Sequence, residues 1–201
     1  MKGEMAKMRG GLRHPKQAWS DTRLVQACLD GDADAWIALL AKYKNLIYSI
    51  AIGYGASQAD ADDIFQTVCV EFFNGLPALR RVESLPAWLA SVTRHRSFHW
   101  RRLTSTRATR EGTTLEDAPP TRLAVVEDDV VERAQRDQRI REAIDRLPPR
   151  CRRLVQLLFF EQPPRPYADI AGEMGLALGS IAMIRARCLK KLQSAIHEAG
   201  L

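Results

Sequence analysis

From Ser20 onward the apolar residues of this chain recur every three or four positions, and nowhere do they alternate every second residue. That spacing matches the 3.6-residue turn of an α-helix, so the chain can bury its apolar surface only by packing helices against one another. One long interruption breaks the pattern. Thr104 to Val126 lacks periodicity and carries Gly112, Pro119, Pro120 and several Ser and Thr residues. A stretch of that composition reads as a linker, which predicts two small all-α domains. The expected organisation is a basic disordered tail over 1–20, a helical domain over 21–103, a flexible acidic linker over 104–127 and a second helical domain over 128–201.

Charge sharpens the division. Residues 76–110 hold eight arginines against Glu83, and 111–132 hold seven acidic residues against Arg122. Residues 133–201 are basic again, with thirteen Lys and Arg against seven Asp and Glu. Two basic blocks flanking an acidic one suggest two nucleic-acid surfaces joined by a segment with a different task. The four cysteines, Cys28, Cys69, Cys151 and Cys188, are far apart and form no Cys-x-x-Cys pair. They are expected to be buried free thiols rather than zinc ligands or disulfides. No apolar run reaches the ~20 residues that a membrane span needs. The basic N-terminus lacks the apolar core of a signal peptide, so the expected location is cytoplasmic, without membrane insertion.

In the first domain, Leu24, Val25, Cys28 and Leu29 form one stripe before Gly31 and Asp32. A second stripe runs through Trp36, Leu39, Leu40, Tyr43, Leu46, Ile47 and Ile50, and Gly53 and Gly55 are expected to end its helix. Ser57 then caps a third helix, with Asp60 three residues on in the capping-box position. Its inner face is Ile64, Phe65, Val68, Cys69, Phe72, Phe73 and Leu76, and its outer face includes Asp62, Asp63 and Gln66. Ser84 is expected to cap a fourth helix, which buries Leu85, Trp88, Leu89, Val92 and Leu103. Its outer face carries Arg94, Arg96, Arg101 and Arg102 beside Phe98 and Trp100, a mixture that suits partly single-stranded nucleic acid.

Two features resemble metal chemistry and have simpler explanations. His95 and His99 share the four-residue spacing of a ligand pair, but no Glu stands between them and arginines crowd them. Asp60, Asp62 and Asp63 occupy the first turn of a helix, where the helix dipole favours carboxylates. No nucleophile–base set and no phosphate-cradling loop is present, so neither enzymatic activity nor a cofactor or metal is expected. A metal-dependent nuclease built on the Asp60 cluster is the enzymatic alternative.

The C-terminal domain contains a short helix from Tyr167, a turn at Gly175 and Leu176, and a second helix entered at Ser180. Ser180 is expected to cap that helix, Ile181, Ile184, Cys188 and Leu192 to form its buried seam, and Ala182, Met183, Arg185, Arg187 and Lys190 to face outward. This is the pattern of a helix-turn-helix whose second helix reads the major groove of duplex DNA.

In this order, the motifs resemble those of bacterial RNA polymerase sigma factors of the extracytoplasmic-function (ECF) class. The resemblance rests on Leu24-Val25 with Gly31-Asp32 and Ala35-Trp36, and on Asp60-Ala61-Asp62-Asp63-Ile64-Phe65-Gln66. It continues through Trp88-Leu89 with Val92-Thr93-Arg94, then Leu147-Pro148-Pro149-Arg150. Tyr167-x-x-Ile170-Ala171, Gly179-Ser180-Ile181 and Arg185-x-Arg187 complete it. It implies that the chain binds core RNA polymerase, directs it to promoters and helps melt DNA for transcription initiation. On this resemblance Asp60, Asp62, Asp63, Gln66 and Glu71 would bind core polymerase. Arg80, Arg81, Arg94, His95, Arg96, His99, Arg101 and Arg102 would engage the minus-ten element. Ser180, Ala182, Met183, Arg185, Arg187 and Lys190 would engage the minus-thirty-five element. The acidic linker residues Glu111, Glu116, Asp117, Glu127, Asp128 and Asp129 would thread into the polymerase cleft, and an anti-sigma factor is the further partner implied. The chain departs from many relatives at Ala182 and Ile184, where Lys and Arg are common, and at His95 and His99, where Asn and Asp are common. The alternative function is that of a helix-turn-helix regulator acting without being a polymerase subunit.

Overall fold

A computed structural model describes residues 16, 19–110 and 120–198, with side chains described at 16, 19–106 and 129–198. Among the described residues there are helices and turns and no strand. Eight α-helices follow one another: α1 (Asp21–Leu29), α2 (Ala33–Gly53), α3 (Gln58–Gly75), α4 (Leu85–Arg110), α5 (Pro120–Arg146), α6 (Pro149–Phe159), α7 (Tyr167–Glu173) and α8 (Ile181–Glu198). They form two compact units, Met1–Gln135 and Arg136–Leu201. The tail residues 1–15 and the linker residues Glu111, Glu116 and Asp117 lie outside the described residues, as do the side chains of Glu127 and Asp128.

The helix starts of the first unit are set locally. Ser20, Asp32 and Ser57 each take extended backbone and accept a hydrogen bond from the amide three residues on, at 3.3, 3.1 and 3.2 Å. Each satisfies an amide that the first helical turn leaves without a partner. Ser84 does not cap α4 in that way: its hydroxyl donates to the Arg81 carbonyl at 2.6 Å, closing the 3-10 turn Val82–Ser84 that leads into the helix. Gly53 stays helical as the last residue of α2, and Gly55, at φ +90°, is where the chain turns away. That left-handed conformation is nearly free of cost only for glycine.

The first core is built by α2 lying among α1, α3 and α4. Leu24, Leu39, Tyr43, Leu46, Ile50, Val68, Phe72, Leu85 and Leu89 are essentially inaccessible there. Three expected core residues lie outside it: Leu29, Phe73 and Leu103 are about half exposed or more. Phe73 instead lays its ring on Trp36, with centroids 5.3 Å apart, and Leu103 is carried past the end of the packing by the length of α4. The α4 helix runs on to Arg110, beyond Thr104 where periodicity lapses, and Thr104 folds its hydroxyl back onto the carbonyls of Trp100 and Arg101. Within the same unit Val130, Val131 and Ala134 of α5 pack on the first core.

The second core is smaller. Ile144, Leu147, Leu154, Val155, Leu157, Ile170, Ala171 and Ile181 form it, with Leu176 and Ile184 packed at its edge. Cys151 of α6 and Cys188 of α8 are joined there as a disulfide. This overturns the expectation of four free thiols, which holds for Cys28 and Cys69 only. Cysteines separated by 37 residues show no local pattern, and only the packing of α6 on α8 brings their Cα atoms to 5.2 Å.

Candidate nucleic-acid interface

In the first unit, the acidic residues of α3 are largely engaged within the fold. The Asp60 carboxylate accepts from the Ser57 hydroxyl and from the Trp100 indole N–H at 3.1 Å, so α3 is tied to α4. These bonds, that from Ser57 foremost, hold the Asp60 carboxyl below its usual range. The Asp62 carboxylate accepts from the Tyr48 hydroxyl and from Gln58. The bond to Asp62 pushes the Tyr48 phenol up to about 12, because the hydroxyl is held as a donor. Glu71 forms an ion pair with Arg96 across the α3–α4 contact. Asp63 and Gln66 stay exposed.

Glu71 and Arg96, expected to serve polymerase and promoter separately, therefore meet each other. Of the remaining cationic and aromatic groups of α4, most but not all face outward. Arg94, His95, His99 and Arg102 are exposed, Arg101 is half-buried, and Phe98 leaves 47% of its surface open. Arg94, His95 and Phe98 line a cleft of about 540 Å³ together with Val131 and Gln135 of α5. Arg80 and Arg81 extend from the turn before α4, with Arg81 4.0 Å from Glu83 in a fully solvated pair. Trp88 is packed against Phe72 as a core residue, and Trp100 is half-buried as the Asp60 partner.

The second unit presents α8 through a tight turn. Gly175, at φ +62°, terminates α7, and the Leu176 amide bonds back to the Ala171 carbonyl at 2.8 Å. This is the left-handed helix ending that glycine favours. Glu173 receives Arg153 from α6 and Arg165 from the preceding loop, and both arginines also reach Glu161. The hydrogen bonds from Arg153 and Arg165 hold the Glu173 carboxyl below its usual value. The cluster pins the entry of the helix-turn-helix to α6.

Ala182, Met183, Arg185, Arg187 and Lys190 are all exposed on α8, as their spacing predicts. Ser180 is not the expected side-chain cap. Its hydroxyl donates to the Ala177 carbonyl at 2.8 Å and closes the 3-10 turn Leu178–Ser180 ahead of α8. Tyr167 was outside the expected site, yet its hydroxyl accepts from Arg185 at 2.7 Å and so aims the guanidinium. No spacing rule links residues eighteen positions apart on different helices; only the turn geometry does. Among the described residues, no single helix is long and apolar enough to cross a membrane.

Comparison with known proteins places both units. Residues 39–106, which span most of α2 through α4, match the model of Sigma-70 region 2. Residues 143–194, which span the second core and the helix-turn-helix, match that of Sigma-70 region 4. No curated protein matches the chain. With its two regions in order over more than half of its length, the chain belongs to the sigma-70 family: it is a sigma factor, which binds core RNA polymerase and recognises promoters.

Proposed function

We propose that this sigma factor is of the ECF class, acting in the cytoplasm with no chemistry of its own, and that an anti-sigma factor holds it in check. The observation that carries the reading is the pairing, on one short chain, of region 2 with an exposed arginine-aromatic helix and region 4 with an exposed basic recognition helix. Asp62, Asp63 and Gln66 face core polymerase, while Asp60 and Glu71, held by Trp100 and Arg96, set α3 on α4. Arg80, Arg81, Arg94, His95, His99, Arg101 and Arg102 engage the minus-ten element. Phe98, open in the cleft beside Arg94 and His95, offers a flat apolar surface to an unstacked base. Binding such bases offsets the few kcal/mol needed to unpair each one. Ala182, Met183, Arg185, Arg187 and Lys190 engage the minus-thirty-five duplex. Arg185 and Arg187 grip phosphate oxygens or guanine edges, and Met183 and Ala182 contact thymine methyls. Joining the two readers on one chain raises the effective concentration of the second contact once the first is made.

The test is reconstitution with core polymerase, followed by sequencing of the transcripts made from genomic fragments. New start sites preceded by two shared elements support the reading. No new start sites, together with tight polymerase-free binding to duplex, would overturn it.

A further inference from the structure

We propose that Cys151 and Cys188 form a reversible redox site, and that its closed form is the one in which the second unit holds its recognition helix ready for DNA. The proposal rests on the sigma-factor reading in one respect: polymerase works in a compartment where thiols are kept reduced. A disulfide there is transient and redox-sensing far more often than structural.

Three observations support it. The bond joins α6 to α8, and Cys188 directly follows Arg187 on the helix that presents Arg185, Arg187 and Lys190. Both cysteines belong to the smaller of the two cores, where α8 is otherwise held by Ile181, Ile184 and Leu192. A unit of this size depends on staples more than a large domain does. Cys28 and Cys69 are free, so Cys151–Cys188 is the one disulfide among the described residues.

The chemistry is thiol–disulfide exchange with a low-molecular-weight disulfide such as oxidised glutathione. Cys151 is the more accessible of the pair, at 9% against 2% for Cys188. Its thiolate attacks one sulfur of the small disulfide, forming a mixed disulfide and expelling one thiolate, which takes up a proton. The Cys188 thiolate then attacks the Cys151 sulfur and expels the second small thiolate, which is protonated in turn. Two electrons and two protons pass from the pair to the oxidant, and two small thiols leave. A dithiol reductant reverses both steps.

Closing a loop whose ends are 37 residues apart raises the folded-to-unfolded ratio of this unit on the order of a thousandfold. The two units can be read separately, because all four tryptophans, Trp19, Trp36, Trp88 and Trp100, lie in the first. The full chain is melted in buffers of graded reduced-to-oxidised glutathione, followed by far-ultraviolet circular dichroism and by tryptophan fluorescence, with alkylation and mass measurement counting thiols. The expected result is a redox-dependent transition in the dichroism, an unmoved fluorescence transition, and loss of two alkylatable thiols on oxidation. The Cys151→Ser/Cys188→Ser double variant melts at one temperature in every buffer. A wild-type chain whose dichroism ignores the redox ratio would overturn the proposal, as would a double variant that still responds.

The link to DNA is read with holoenzyme at a temperature between the two midpoints. Wild-type transcription falls on reduction, while the double variant is equally low in both buffers. Equal wild-type transcription in both buffers overturns the claim that the closed form is the DNA-ready one. Should the chain start no transcripts at all, the sigma-factor reading fails, while the melting result still decides the redox site.

Discussion

Gly53 closes α2, and replacing it by alanine sets two effects of opposite sign against each other. Within a helix, alanine is favoured over glycine by up to about 1 kcal/mol, because glycine loses more backbone freedom on folding. Tertiary packing opposes this. A Cβ built on Gly53 would overlap Val130 Cγ1 of α5 and lie 3.2 Å from its Cγ2. Carbon atoms rest at about 3.5–4.0 Å, so the valine would have to move. Its branched side chain has one strongly preferred helical rotamer, so it cannot rotate away cheaply. Overpacking of this kind costs about 1–3 kcal/mol, and the overlap puts Gly53→Ala in the upper part of that range. The net expectation is destabilisation of the first unit by about 1–2 kcal/mol. The assay is urea unfolding followed by tryptophan fluorescence, which reports this unit alone. The Val130→Ala background is decisive: with the two methyl groups gone, Gly53→Ala should become neutral or stabilise by up to about 1 kcal/mol. A Gly53→Ala variant that is more stable than wild type, or equally affected in both backgrounds, would refute the packing of α5 on α2.

Three further outcomes follow from the second unit. Tyr167→Phe removes the hydrogen bond that aims Arg185, so minus-thirty-five duplex binding by holoenzyme should weaken about two- to tenfold with the melting temperature unchanged. Unaltered binding would show that the bond does not orient Arg185. Arg185→Ala and Arg187→Ala should each lower the slope of log affinity against log salt by about 0.9 in fluorescence-anisotropy titrations; unchanged slopes in both would show that neither touches phosphate. Glu173 has a folded pKa below its unfolded value, so its pairing with Arg153 and Arg165 stabilises above about 4.5 and is lost as pH falls through the lower, folded value. Glu173→Gln should therefore narrow the stability difference between pH 7 and pH 3 and leave pH 5 to pH 7 flat. A difference arising between pH 5 and pH 7 would place the effect on another group.

Much of the fold was legible because its determinants are close together in the chain. Ser57 caps α3 through a bond spanning three residues, and Gly175 turns the chain through its own backbone freedom. The stripes of α1, α2 and α3 repeat every turn, so they mark the buried faces without knowledge of what covers them. The outward face of α8 was legible for the same reason. Phe73 and Leu103 escaped that logic: periodicity says which way a side chain points, and only neighbouring helices decide whether anything lies there.

The sequence by itself therefore determined the all-α, two-unit organisation and the exposed basic faces, since each follows from charge and spacing along one segment. It did not place the division, which falls after Gln135, with Val130, Val131 and Ala134 on the first core. Tertiary structure decided the partners. It joined Cys151 to Cys188, turned Glu71 onto Arg96, placed Trp100 on Asp60 and Tyr167 under Arg185, and set Val130 against Gly53. These pairs are 18 to 77 residues apart, and nothing local encodes them. Their existence depends on how helices cross, a property of the packed cores rather than of any single stretch of chain.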